Sequence, residues 1–127
     1  MRWQEIIYED LAMIDIKNIE KYADKAFSRV GIDVNFGKHF IDRLQTRGSQ
    51  ITAGELTRLF KQEAKRWGSP IAQMGPDAEG VMKDLKTDVN VPFILAWNRR
   101  EEQLQLRAKT IMKKKDFTTP NRVFPIQ

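Results

Sequence analysis

Apolar positions along the chain change their period near residue 80. Before that point they recur every three or four residues, the spacing that lines one face of a helix. Ile16, Ile19, Ala23, Ala26, Phe27 and Val30 predict a helix that Asp15 caps and Gly31 ends. Trp3, Ile6, Ile7, Leu11 and Ile14 predict a shorter helix ahead of it. Ile32, Val34 and Phe36 alternate with Asp33 and Asn35, as in a short strand. Phe36, Phe40 and Leu44, with Ile41 beside them, make the apolar face of a helix across GKHFIDRLQTRG, which Gly48 closes. Thr52 and Glu55 form a capping box, in which each side chain satisfies the other residue's free backbone N–H. Ile51 and Leu56 flank the box as a hydrophobic staple, and Leu59, Phe60, Ala64 and Trp67 continue the apolar face. Gly68, Ser69 and Pro70 then read as a terminator, and residues 68–80 as an ordered loop.

Beyond that loop the spacing becomes that of strands. Residues 81–86 form a first candidate. The run VPFILAW at 91–97 reads as a central strand buried on both faces, with Pro92 at its start, where a missing donor is tolerated. A polar turn follows at 98–102. Leu104, Leu106, Ala108, Thr110 and Met112 then alternate with polar neighbours as one half-buried strand with a basic second face. Helices first and strands afterwards predict an α+β fold, with N-terminal helices packed on one face of a C-terminal antiparallel β-meander. The expected organisation is one domain over 1–127. It comprises a helical N-terminal extension (1–30), a core (31–112) and a basic extended tail (113–127).

Composition narrows the classes. Apolar residues at 41% and charged residues at 31% fit a folded globular chain. No apolar run approaches the roughly 20 residues that span a bilayer, so no membrane association is expected. Residues 1–10 carry Glu5, Glu9 and Asp10 and no hydrophobic segment, unlike a secretory leader. With no cysteine, disulfides, thiolate catalysis and cysteine zinc sites are excluded, and a reducing cytoplasm suits the chain. A single histidine excludes a zinc site built on two or three of them. Asp77, Glu79, Asp84 and Asp88 are too loosely spaced for a characteristic cation loop, so no metal or cofactor is expected.

Charge adds a partner. The net charge is +5, with acids crowding the first 24 residues and Lys109, Lys113, Lys114, Lys115 and Arg122 crowding the end. That asymmetry is the electrostatic footprint of a nucleic-acid ligand, RNA or alternatively DNA; a solvated surface with a ragged tail is the plainer alternative. The acidic N-terminal segment is a candidate docking element for a protein partner.

His39 is the one side chain with an ordinary pKa near neutrality, and so the natural proton carrier. On a helix, His39, Arg43 and Arg47 lie about 40° apart and share a side. Two guanidinium forks beside an imidazole can hold phosphate oxygens and move a proton. The alternative is a surface histidine, with Arg43 paired to Asp42 or Glu55. On the last strand, Arg107 and Lys109 project to one face and Thr110 to the other. A lysine beside a hydroxyl can stabilise the negative charge that develops in a phosphorane-like transition state; the plainer alternative is a solvated strand edge protected by charge. Lys113, Lys114 and Lys115 add non-specific phosphate attraction. Trp3, Trp67 and Trp97 fall on apolar faces and are expected in the core.

Taken together, VNFGKHFIDRLQTR, ITAGELTRLFKQEAKRW and LRAKTIMKKKDF resemble phage-encoded members of the barnase–colicin–RelE-like nuclease superfamily, over residues 30–117. The resemblance implies metal-independent RNA cleavage of the toxin type, by attack of the ribose 2′-hydroxyl on the adjacent phosphate. It implies His39 as the acid–base group, Arg43 and Arg47 on phosphate, and Lys109 and Thr110 on the transition state. It also implies a place in the host cytoplasm or the virion. The chain departs from several relatives in having no second histidine on the sheet. A non-catalytic nucleic-acid-binding module, or a phage structural or host-interaction protein, is the alternative.

Overall fold

Helical spacing gives way to alternation in the computed structural model as well, which describes residues 12–46 and 50–127. The elements run α1 (Met13–Ser28), β1 (Ile32–Phe36), α2 (Lys38–Gln45), α3 (Ala53–Ala72), β2 (Glu79–Asp84), β3 (Val89–Asn98), β4 (Gln103–Ala108), β5 (Met112–Lys113) and β6 (Arg122–Ile126). The fold is α+β. The expected short helix around Trp3, the closing Gly48 and the candidate Arg47 lie outside the described residues.

The strand order is β1-β4-β3-β2-β6, with β5 also paired to β3. Only β2, β3 and β4 form the antiparallel meander. Both flanks are parallel: β1 on β4, and β6 on β2. The sheet is therefore mixed, because residues before and after the meander add strands to it.

One face of the sheet holds the core. Val34, Phe36, Met82, Phe93, Leu95, Leu106, Ala108, Phe124 and Ile126 pack with Phe27, Phe40, Leu44, Leu56 and Phe60 from the helices. β3 is central, but its second face is only half covered: Pro92, Ile94 and Ala96 are half-buried. Trp97, expected in the core, is 52% exposed, since it lies near the end of β3 against the polar turn. Trp67 packs partly against the core and donates its indole N–H to the Pro125 carbonyl at 2.8 Å.

Several boundaries moved for identifiable reasons. The N-cap of α1 is Ala12, and Asp15 sits in the first turn, where its charge still opposes the helix dipole. The capping box at Thr52 and Glu55 forms as the sequence indicates, with both bonds at 3.0–3.1 Å. Gly68, Ser69 and Pro70 do not end α3; it runs to Ala72 through Pro70. Ile71 is fully buried and draws this last turn onto the core. Gly68 is there for proximity: a Cβ would stand 3.3 Å from the Val30 methyl. The 113–127 segment is not merely an extended tail. It includes β6, whose Phe124 and Ile126 are buried and whose Pro125 is tolerated on an edge strand.

β1, the other edge, is covered by side chains. Asp24 Oδ1 accepts from the Val34 N–H at 2.8 Å, and Glu20 Oε2 accepts from the Phe36 N–H at 2.6 Å. Two acids of α1 thus satisfy donors that would otherwise be a template for strand addition.

Candidate functional site

Pro92 organises the site from a distance. It is the fourth residue of β3 rather than its first. Its carbonyl accepts from the Lys109 N–H at 2.8 Å. In a strand, the N–H and C=O of one residue point to the same neighbour, so the donor that proline lacks faces this same segment. Here the expected single last strand breaks: β4 ends at Ala108 and β5 begins at Met112. The Lys109 N–H makes the last bond to β3 before the break; Thr110 leaves the ladder, and Ile111 turns into the core.

Gly37 brings α2 to that break. β1 runs parallel to β4 with Phe36 opposite Ala108, and the Gly37 N–H donates to the Ala108 carbonyl at 2.9 Å. A Cβ on residue 37 would lie 2.8 Å from that same oxygen, so only glycine fits. The Phe40 ring then anchors α2, with its centroid 4.5 Å from Phe36 and 6.5 Å from Phe60.

The outcome is an open pocket of about 390 Å³ lined by His39, Asp42, Arg43, Lys109 and Thr110. His39, Arg43 and Lys109 are exposed, and Thr110 is half-buried. Arg43 reaches across with Nε 3.4 Å from the Ile111 carbonyl, so it spans the cleft instead of pairing with Asp42 or Glu55. Lys109 Nζ bonds Glu79 Oε1 at 2.7 Å. Asp42 and Glu79 are the residues that sequence reasoning missed as parts of the site. Asp42 was visible within HFIDR; Glu79 reaches Lys109 only through the pairing of β2 with β3, which spacing does not reveal.

The other candidates lie elsewhere. Arg107 is exposed on β4, on the sheet face away from the core, with Nε bonded to Gln105 Oε1 at 2.7 Å. Lys113 bonds Glu55 Oε2 at 3.0 Å and the Gln50 carbonyl at 3.3 Å, so one charge of the basic run is already matched. Lys114 and Lys115 remain exposed, while their backbones are tied to Asp88, Asn90 and Lys83. Among the described residues, no three His, Asp or Glu side chains cluster as metal ligands would, and no helix is long and apolar enough to cross a membrane.

A second cluster of ionisable groups centres on two buried carboxylates. Glu63 of α3 is fully buried, with neither carboxylate oxygen in a well-formed hydrogen bond. Burial pushes its pKa up to about 9; nearby Asp84 adds to the rise, while a loose approach of the Lys83 backbone N–H and the charge of Arg66 offset part of it. Asp84 is also buried, which alone would raise its pKa. Hydrogen bonds from the Arg58 guanidinium and the Lys86 N–H, with the charge of Arg58, outweigh burial and hold it below the ordinary carboxylate range.

No family model matches the chain, and no curated protein or solved structure matches it significantly.

Proposed function

We propose that the chain is a small metal-independent ribonuclease whose active centre is the cleft of His39, Asp42, Arg43, Lys109 and Thr110. The observation that carries this reading is convergence: an imidazole, a guanidinium, an ammonium and a hydroxyl meet in one open pocket from segments about 70 residues apart. Arg43 and Lys109 would hold the non-bridging phosphate oxygens, and the Thr110 hydroxyl would donate to one of these oxygens as negative charge builds there. The 2′-oxygen bonds to phosphorus and the bond to the 5′-oxygen breaks, leaving a cyclic phosphate and a 5′-hydroxyl. One group must take the 2′-hydroxyl proton and another must protonate the leaving oxygen. His39 serves as one carrier, and Asp42 is the carboxylate in the same lining able to serve as the other.

The test is cleavage of RNA in the presence of a chelator, with cyclic phosphate ends on the product. His39→Ala should reduce the rate by about 10²- to 10⁴-fold. Wild-type protein that cleaves no RNA, with or without ribosomes, overturns the reading. The Lys109–Glu79 pair favours one alternative, a nucleic-acid-binding module, because a cation already held by a carboxylate can position phosphate without turnover. Salt-sensitive binding of RNA or DNA with no cleavage by wild type would select it.

A further inference from the structure

Glu20 and Asp24 of α1 are turned inward, and this leaves the side that carries Lys25 and Arg29 positive. Glu20 and Asp24 bond the β1 backbone, and Glu63 of α3 is buried. Between the two helices lies an open trough of about 480 Å³. Its α1 wall is Tyr22, Lys25 and Arg29, and its α3 wall is Lys61 and Lys65. Ala26 and Ala64 complete the lining, and their short side chains keep the trough open. Residues 22, 25, 26 and 29, like 61, 64 and 65, are spaced so that each set shares a single helix face. Among the described residues, none of the four cations forms an ion pair.

We infer that this trough is a second binding site, taking the sugar–phosphate backbone of single-stranded RNA. Four cations that no described acid pairs with call for a polyanion. The Arg29 fork matches phosphate oxygens in pairs, and the lysines act as point charges. Tyr22, 38% exposed on the same wall, offers a ring on which a base can stack. A base can lie on that ring only when it is unpaired, which favours a single strand over a duplex. The choice of RNA rests on the reading of the His39 cleft; the cationic character of the trough does not.

The experiment measures binding of a labelled single-stranded RNA decamer by fluorescence anisotropy, from 50 to 200 mM salt, with a chelator. The protein is the full chain carrying His39→Ala and Lys109→Gln, which suppress cleavage and weaken the first cleft. Adding Lys25→Gln and Arg29→Gln should weaken binding about tenfold and flatten the log–log salt slope by about 1.4, which is 0.7 for each lost contact. Tyr22→Ala should weaken RNA binding about tenfold while leaving inorganic polyphosphate unaffected. Restoring charge with Lys25→Arg and Arg29→Lys should recover most of the affinity, which separates lost contacts from lost folding. Unchanged affinity and slope in the glutamine variant overturn the assignment. So does a polyglutamate chain that binds as tightly as RNA, an outcome that points to an acidic protein partner. A wild type that binds RNA through the trough yet cleaves nothing refutes the ribonuclease and leaves this site standing.

Discussion

β2 carries an ion pair at each end, and the two behave differently. Glu79 starts the strand and pairs with Lys109 in the open, both side chains being at least 40% exposed. Asp84 ends the strand and pairs with Arg58, the carboxylate fully buried. Water screens the first pair, so its energy is small and its ammonium stays accessible to a phosphate. The second is shielded, so its members depend on each other and contribute to folding rather than to ligand binding. Charge at the mouth of a cleft can act on a ligand; charge in the interior mainly acts on stability.

The largest expected effect lies at the buried end. Arg58→Met should lower stability by about 3 kcal/mol in urea unfolding, because it strands a buried carboxylate. Arg58 is itself partly exposed, so water can relieve some of the loss, which places the effect at the low end for a broken buried pair. A shift below 0.5 kcal/mol would erase the contrast between the two pairs.

Next comes the geometry of the open end. Gly37→Ala pushes a methyl onto the Ala108 carbonyl and should cost about 1–3 kcal/mol. It should also displace His39 relative to Lys109 and depress RNA cleavage beyond what the stability loss explains. Full activity per folded molecule would show that the close approach of α2 to β4 is not needed.

Glu63 gives a pH test of the buried carboxylates. Its folded-state pKa of about 9 lies above the ordinary 4.5, so the folded chain keeps a proton that the unfolded chain releases. The stabilising contribution is complete below about pH 4.5 and is lost progressively as pH rises towards 9, by at most about 1.4 kcal/mol per pH unit. Glu63→Gln should flatten the fall in Tm between pH 6 and 9. An identical slope in both proteins would mean that Glu63 ionises without penalty.

The smallest effect belongs to the exposed pair. Glu79→Gln should change stability by less than about 1 kcal/mol, yet strengthen RNA binding by freeing the Lys109 ammonium. Weakened binding would make Glu79 a positioning residue for Lys109 instead of a competitor for it.

The sequence by itself determined the local elements and the chemical inventory. Helical spacing in 16–30 and 56–67, the Thr52–Glu55 box and the alternation in 32–36 each depend on contacts a few residues apart, so they can be read from the order of residues. His39, Arg43, Lys109 and Thr110 were legible as chemistry for the same reason. What the sequence could not supply was anything decided by distant partners. Pro70 stays in a helix because buried Ile71 holds the turn down, and Phe124 makes the tail a strand because β2 has a free side. Trp97 looks like core in a list of apolar residues, but its place near the end of β3 exposes it. The cleft belongs to this second kind. Its residues meet because Gly37 lets α2 touch the end of β4, and because Pro92, in a neighbouring strand, has no N–H to offer the segment that holds Lys109. Only the folded chain sets such dependence between distant residues, because the energy that fixes each one comes from atoms far away in sequence.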